Sequence, residues 1–404
     1  MHKLIGKRII LGVTGGISAY KAAFLVRLLR KNGANIRVVM TQSATKFVTP
    51  LTFQALSAKP VHTELLDVNT ETAMGHIELA KWADLILIAP ASANFIARYA
   101  NGFAEDLLST LCLATDSPVI IAPAMNQQMW RNQATQENLE RINARGITVV
   151  GPTAGVQACG DDGPGRMLEP EEIVVHTANI FQTNILTGSR LLVTAGPTRE
   201  AIDPIRFLSN RSSGRMGYAV ATAAAEAGAD VTLISGPVDL AAIGIEKVIH
   251  VTSAEEMQES VMQRINNIDI FISAAAVADY RVQKISEQKI KKSDDTYELI
   301  MQKNSDILAE VSALYDAPFT VGFAAETENL ELNAQTKLHL KNLDMIAANQ
   351  VDKKLGIDCD ENSLTIFWKT GREKLPLAPK NKLARSLIKL IALQYNEKNS
   401  NKTH

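Results

Sequence analysis

The chain has 404 residues, 46% of them hydrophobic and 21% charged, with a formal net charge of −1. That length exceeds one typical core and points to two domains, in a composition that excludes a disordered chain. The near-zero charge excludes the broad basic or acidic balance of nucleic-acid and anionic-membrane binders.

In chain order, the first residues precede an apolar run shorter than a signal peptide requires, so a soluble chain is expected. Later apolar segments are broken by Asp84, Asp116 or Asp269 and are too short to span a bilayer. "RIILGVTGGISAYKAAFLVRLLRKNGANIRVVMT" (Arg8 to Thr41) reads as a strand–helix–strand unit. Ile9 to Val13 form a buried strand, Gly15 and Gly16 a tight turn, and Ala19 to Lys31 a helix with Ala22, Leu25, Val26 and Leu29 on one face. Gly33 stops that helix and Ile36 to Met40 form the next strand. The plan recurs in "RLLVTAGPTRE" from Arg190, an Ala-rich helix over Met216 to Ala227, and the strand in "AGADVTLISG". A second echo pairs "ADLILIAPASANF" from Ala83 with "IDIFISAAAVADY" from Ile268, each an Asp before a buried strand that ends in small residues.

Alternating strands and helices predict α/β architecture: two doubly wound, Rossmann-like parallel-sheet domains in tandem, over 1–189 and 190–404. Ligands of such sheets bind beyond the carboxyl ends of the strands, where "GVTGGIS", "MTQSA", "APASANF", "APAMN", "TAGPTRE" and "SAAAVADY" fall. "SLTIFWKTGREKLPL" (Ser363 to Leu377) reads as a hairpin turning at Gly371. Lys382 to Tyr395 reads as an amphipathic closing helix, followed by a frayed polar tail after Asn396.

Gly15, Gly16 and Ser18 open a helix, whose free N–H groups suit a phosphate. The stretch is neither G-x-G-x-x-G nor a Walker loop, which counts against a dinucleotide dehydrogenase. Read singly, His76 is a helix-start histidine and Asn126 a turn or helix cap. Cys159, in the Gly/Pro-rich loop "GVQACGDDGPGRM", is by the same reading a small loop hydrophobe like Cys112. The three cysteines, Cys359 included, are far apart and odd in number, which suggests neither a disulfide framework nor a zinc site, and a reducing cytoplasm is expected. Taken together, a proton shuttle, an amide that binds a carboxylate and a thiol on a flap could form one pocket. In the second half, Ser212, Ser213 and Gly214 between Arg211 and Arg215 offer donors to an anion or form a polar helix entrance. "KIKK" (Lys289 to Lys292) is a basic cluster or a solvated face. "KNSDIL" starts a helix capped by Ser305 or Asp306. Lys337 and Lys341, at i and i+4, point the same way.

"GVTGGISAYK", "HIELAKWADL", "APASANFIA", "AEDLLST", "PAMNQQMW" and "ACGDDGPGRM" together resemble the flavin-dependent cysteine decarboxylases, and within them 4'-phosphopantothenoylcysteine decarboxylase, over most of residues 7 to 180. The resemblance implies a flavodoxin-like fold and an FMN site at Gly15, Gly16, Ser18, Ser43, Ser92 and Asn94. It gives His76 as base or orienting group, Asn126 as carboxylate holder and Cys159 as proton donor. FMN would supply the electron sink that the substrate lacks, by oxidising its thiol before CO₂ leaves.

"TAGPTREAIDPIRFLSNRSSGRMG", "SAAAVADY", "KIKK" and "GFAAET" resemble 4'-phosphopantothenate–cysteine ligase over about residues 190 to 385. Bacterial fusions of coenzyme A biosynthesis carry both activities in this order. The resemblance implies activation of the 4'-phosphopantothenate carboxylate by CTP with Mg²⁺, then attack by the cysteine amine. Lys289 would be the cation of activation and Asn210 the holder of the acyl-cytidylate. Ala274, Ala275, Ala276, Asp279, Lys289, Asn304, Ser305, Asp306, Ile307, Phe323, Lys337 and Lys341 would form the nucleotide site, with Asp279 the candidate Mg²⁺ ligand. Ser305 departs from the family's proline. The resemblance also implies a homo-oligomer, with trimeric contacts around the flavin and dimeric contacts in the ligase.

Two alternatives stand beside this reading. One is a peptide cysteine decarboxylase with a merely nucleotide-binding second half, against which Asn210, Lys289, Lys337 and Lys341 argue. The other is a regulatory protein on the decarboxylase fold, against which His76, Asn126 and Cys159 argue together.

Overall fold

A computed structural model of the chain describes residues 4–65, 75–291, 297–351 and 359–400. They form two compact units, residues 1–181 and 182–404, that part upstream of the join expected after residue 189.

The first unit is built on β1 (Arg8–Val13), β2 (Asn35–Met40), β3 (Val61–His62), β4 (Leu85–Ala91), β5 (Val119–Pro123) and β6 (Thr148–Val149). The sheet order is β3-β2-β1-β4-β5-β6, parallel throughout. Successive side chains of a strand face opposite ways, so a sheet covered on both sides needs unbroken apolar runs. β1 obeys this: Ile9, Leu11 and Val13 enter one core, while Ile10 enters the other. The helix Ala19–Lys31 buries Ala22, Leu25, Val26 and Leu29, the face expected from its spacing.

The Gly/Pro-rich segment around Cys159 is not an irregular loop but an antiparallel ribbon of β7 (Thr153–Val156) and β8 (Asp162–Arg166), with Cys159 in the turn. A two-stranded ribbon tolerates Pro164 because only one edge of it needs donors.

The second unit's main sheet uses β9 (Arg190–Ala195), and two short strands follow, β10 (Arg199–Ala201) and β11 (Phe207–Ser209). The main sheet continues with β12 (Asp230–Ser235), β13 (Lys247–His250) and β14 (Ile270–Ser273). A second short pair is β15 (Tyr280–Val282) and β16 (Met301–Lys303). β17 (Phe319–Glu326), β18 (Met345–Gln350), β19 (Glu361–Trp368) and β20 (Gly371–Pro379) complete it. The order β13-β12-β9-β14-β17-β18-β19-β20 is parallel up to β18, after which β19 and β20 run antiparallel, the hairpin expected at Gly371. The closing helix runs over Lys380–Ser400, beyond the expected end at Tyr395. Its polar last turn is held by Lys398, which pairs with Asp344 at 2.6 Å and lies over the Phe319 ring.

The internal echo has a structural basis. In the first unit Asp84 accepts the Arg8 N–H at 2.9 Å and pairs with the Arg8 guanidinium; in the second, Asp269 accepts the Arg190 N–H at 2.7 Å and pairs with its guanidinium. Each Asp thus ties the start of its own strand to the start of its unit's first strand.

Candidate active sites

The loops that follow β1, β2, β4 and β5 surround a cavity of about 970 Å³ in the first unit, a size typical of ligand sites. Gly15, Gly16, Ser18, Ser43, Ser92, Asn94, Asn126 and Cys159 all line it. Thr14, buried, ties two of these loops together: its hydroxyl donates to the Pro90 carbonyl at 2.8 Å and accepts the Ser92 N–H at 2.9 Å. Gly15 is needed because a Cβ there would lie 2.5 Å from Cβ of Ser43. Ser18 precedes the helix Ala19–Lys31 and makes no side-chain capping bond, whereas the Ser92 hydroxyl caps its own helix by accepting from Phe95 N–H. A hydroxyl and N–H groups at this helix start fit the phosphate of a flavin nucleotide.

The β7–β8 ribbon brings the thiol to the cavity. It packs close because Gly165, at φ +142°, has no Cβ, which would meet the Met125 carbonyl at 2.3 Å; Met125 N–H donates instead to the Gly165 carbonyl at 2.9 Å. Asn126 uses its two ends differently. Oδ1 accepts from Gln128 N–H at 2.8 Å, so Asn126 caps its helix, as its ordinary reading expects. Nδ2 faces the ribbon's turn, 3.0 Å from Asp161 Oδ2, 3.3 Å from Gln157 Oε1 and 3.4 Å from Cys159 Sγ. Cys159 is exposed, with Sγ 3.4 Å from Asp161 Oδ2. Hydrogen bonds from Asn126 first, then Cys159, hold the Asp161 carboxyl below the usual carboxylate range. Cys112 is different: it sits in the core on the helix Leu107–Ala114, where burial pushes its thiol far up.

His76 lies half-buried on the helix Gly75–Trp82 and does not line this cavity. Sequence reasoning also passed over Asp161 and Gln157, although both stand beside Cys159 in the quoted motif. It passed over Arg98 and Asp106 as well, which pair at 2.9 Å on the cavity wall. "AEDLLST" carried a signal for Asp106, whose carboxylate caps a helix in a capping box.

In the second unit the loops after β14 and β17 surround a cavity of about 580 Å³. Asn210, Ala274, Ala275, Ala276, Asp279, Asn304, Ser305, Asp306, Ile307, Phe323, Lys337 and Lys341 line it. Asn210 Nδ2 donates to the Val277 carbonyl at 2.8 Å. Asn304 is buried and clamps the same loop, donating from Nδ2 to Ala278 O and from its backbone N–H to Asp279 O, both at 2.8 Å. The helix Ile307–Ser312 is capped by Asp306 and not by Ser305. Lys341 pairs with Asp306 and Lys337 with Glu326, each at 2.6 Å. Burial pushes the Glu326 carboxyl up, but the bonds from Lys337 and Asn333 and the Lys337 charge outweigh it and hold it below its ordinary value. Both lysines are therefore held on carboxylates where they line the cavity. Among the described residues no group of three or more His, Cys, Asp or Glu is placed to hold a metal ion. Lys289 is exposed and does not line the cavity, and Lys292 lies outside the described residues.

Comparison with known proteins assigns both halves. A family profile described as Flavoprotein matches residues 1–182, and one described as DNA/pantothenate metabolism flavoprotein C-terminal domain matches residues 186–394. The coenzyme A biosynthesis bifunctional protein CoaBC of Vibrio cholerae is 57% identical over 396 residues, 97% of this chain and 99% of that protein. The chain belongs to the family of bifunctional coenzyme A biosynthesis proteins. The protein of the same description from Escherichia coli K12 is 52% identical over 402 residues, 98% of this chain and 99% of that one. Solved structures match one unit each. The C-terminal domain of a coenzyme A biosynthesis bifunctional protein aligns at 39% identity and TM-score 0.46, over 53% of this chain and 99% of that one. A PPC decarboxylase mutant complexed with pantothenoylaminoethenethiol aligns at 32% identity and TM-score 0.40, over 43% of this chain and 97% of that one. Within this bifunctional family the flavoprotein unit is the decarboxylase and the C-terminal unit the ligase. Among the described residues no helix is long and apolar enough to cross a membrane.

Proposed function

We propose that the ligase unit joins cysteine to 4'-phosphopantothenate with CTP and Mg²⁺, and that the decarboxylase unit, with FMN, converts the product to 4'-phosphopantetheine in the cytoplasm. In the ligase unit a carboxylate oxygen of 4'-phosphopantothenate attacks the α-phosphorus of CTP and pyrophosphate leaves. The cysteine amine then attacks the activated carbonyl and CMP leaves. Lys337 and Lys341 take the phosphates, Lys289 offsets charge during activation, and Asn210 holds the acyl-cytidylate. Asp279, which among the described residues belongs to no group of three or more His, Cys, Asp or Glu placed to hold a metal, would share Mg²⁺ with phosphate oxygens, as this ion prefers.

In the decarboxylase unit the observation that carries the reading is the pair Asn126 and Cys159. A carboxylate, that of Asp161, already rests 3.0 Å from Asn126 Nδ2, beside an exposed thiol. This supports an amide that donates to the substrate's carboxylate next to a proton donor. Gly15, Gly16, Ser18, Ser43, Ser92 and Asn94 would hold FMN, which when bound supplies the reversible oxidation that makes loss of CO₂ feasible. Asn126 orients the departing carboxylate, and Cys159 gives its proton to the substrate carbon after CO₂ has left. His76 would enter from a neighbouring copy, which makes the flavin site a property of a homo-oligomer.

Gly15→Val tests the flavin seat. Its side chain would fill the space against Ser43, so flavin absorbance per purified chain should fall severalfold while ligase turnover stays unchanged. Wild-type flavin content in this variant would contradict the seat.

A further inference from the structure

We infer that Asp203 is a positioning residue for the ligase reaction: it grips the backbone N–H of Ile290 while its partner Arg206 takes the Ile290 carbonyl, and so sets where Lys289 stands relative to Asn210. The inference rests on the proposed role of Lys289.

Asp203 lies in the turn between β10 and β11, with its side chain fully buried. A buried carboxylate is costly unless it is paired and hydrogen-bonded. This one is satisfied on both oxygens. Oδ1 accepts Ile205 N–H and Arg206 N–H, each at 2.8 Å; Oδ2 accepts Arg206 Nε at 2.9 Å and Ile290 N–H at 3.2 Å. Burial pushes its carboxyl up, but the three backbone N–H groups and the guanidinium outweigh burial and hold it well below the usual range, so it is ionised at neutral pH.

The bonds within residues 203–206 suffice to close a turn. Those to Ile290 cross to a segment 84 and 87 residues away and contribute nothing to the turn itself. Arg206 Nη2 donates to the Ile290 carbonyl at 2.7 Å, and Ser286 N–H donates to the Ile202 carbonyl at 3.0 Å. Both polar groups of the residue next to Lys289 are therefore fastened to one hairpin. Lys289 itself is exposed and makes no hydrogen bond or ion pair among the described residues, so its placement depends on that backbone grip. The same hairpin carries the other proposed ligase residue. β11 ends at Ser209, and Asn210 follows on the cavity wall. A side chain misplaced by about 1 Å in a charge-stabilising role costs on the order of 100-fold in rate.

The test uses the full-length enzyme and three variants: Asp203→Asn, Lys289→Ala and the double variant. Ligase turnover is followed by pyrophosphate release, MgCTP affinity by calorimetry and integrity by unfolding temperature. Asp203→Asn is expected to lower ligase kcat roughly 100-fold with MgCTP affinity and unfolding temperature unchanged. The double variant should be no slower than Lys289→Ala alone, because the two residues act as one unit. Wild-type kcat in Asp203→Asn, or losses that multiply in the double variant, would overturn the inference while leaving the role of Lys289 intact. Full kcat in Lys289→Ala would overturn both. Should Asp203→Asn lower the unfolding temperature, Arg206→Lys carries the same expectations, since an ammonium cannot bridge Asp203 and the Ile290 carbonyl as the planar fork does.

Discussion

Cys159→Ser is expected to slow decarboxylation of 4'-phosphopantothenoylcysteine by roughly 100- to 10,000-fold, the range spanned by a lost general acid. The substitution changes one atom at the exposed turn of the β7–β8 ribbon, so packing and stability should be almost untouched. A hydroxyl is a far weaker acid than a thiol and cannot deliver the proton that completes the reaction. Because this step follows loss of CO₂, the variant should still release CO₂ in a first turnover and then hold a product that has not been reduced. Flavin content and ligase turnover should match the wild type. Mass spectrometry of the quenched single turnover reads the distinction directly. Ordinary 4'-phosphopantetheine formed at the wild-type rate would remove Cys159 from the mechanism. Intact substrate with no CO₂ would move the thiol to an earlier step.

Asn210→Asp should have the largest effect in the other unit, about 100- to 1,000-fold on ligase kcat, as for loss of one preorganised donor at a developing charge. The amide donates to the Val277 carbonyl and faces the cavity. A carboxylate in its place loses that bond and sets a negative charge against the acyl phosphate. Activation by CTP does not require the amide in this account, so pyrophosphate should appear in the first turnover while amide formation lags. Rapid-quench measurement of both products checks this. Equal slowing of both would place Asn210 in activation instead.

Much of the architecture was legible because it depends on period. The helix over Ala19–Lys31 and strands such as Ile9 to Val13 follow from apolar spacing that only one geometry buries. The repeated Asp before a strand was visible as Asp84 and Asp269, though its purpose, fastening the strand starts to Arg8 and Arg190, needed coordinates. The ribbon around Cys159 was not legible. Its glycines and proline carry no period-2 pattern, and its docking against Met125 depends on the missing Cβ of Gly165. The last turns of the closing helix were missed because their hold is a tertiary ion pair between Lys398 and Asp344.

The sites divide in the same way. Residues just beyond strand ends, such as Ser43, Asn126 and Ala275, line the cavities where doubly wound sheets put ligands. His76 and Lys289 do not line those cavities, and neither directly follows the end of a strand of its main sheet. The grip of Asp203 on Ile290 joins residues far apart in sequence through backbone groups, which no side-chain motif encodes.

The most direct test of the whole account is mass spectrometry of the products formed by the purified chain from 4'-phosphopantothenate, cysteine, CTP and Mg²⁺. 4'-Phosphopantetheine together with CMP and pyrophosphate is expected, both units acting in sequence. Failure to consume CTP, with no amide formed, would contradict it.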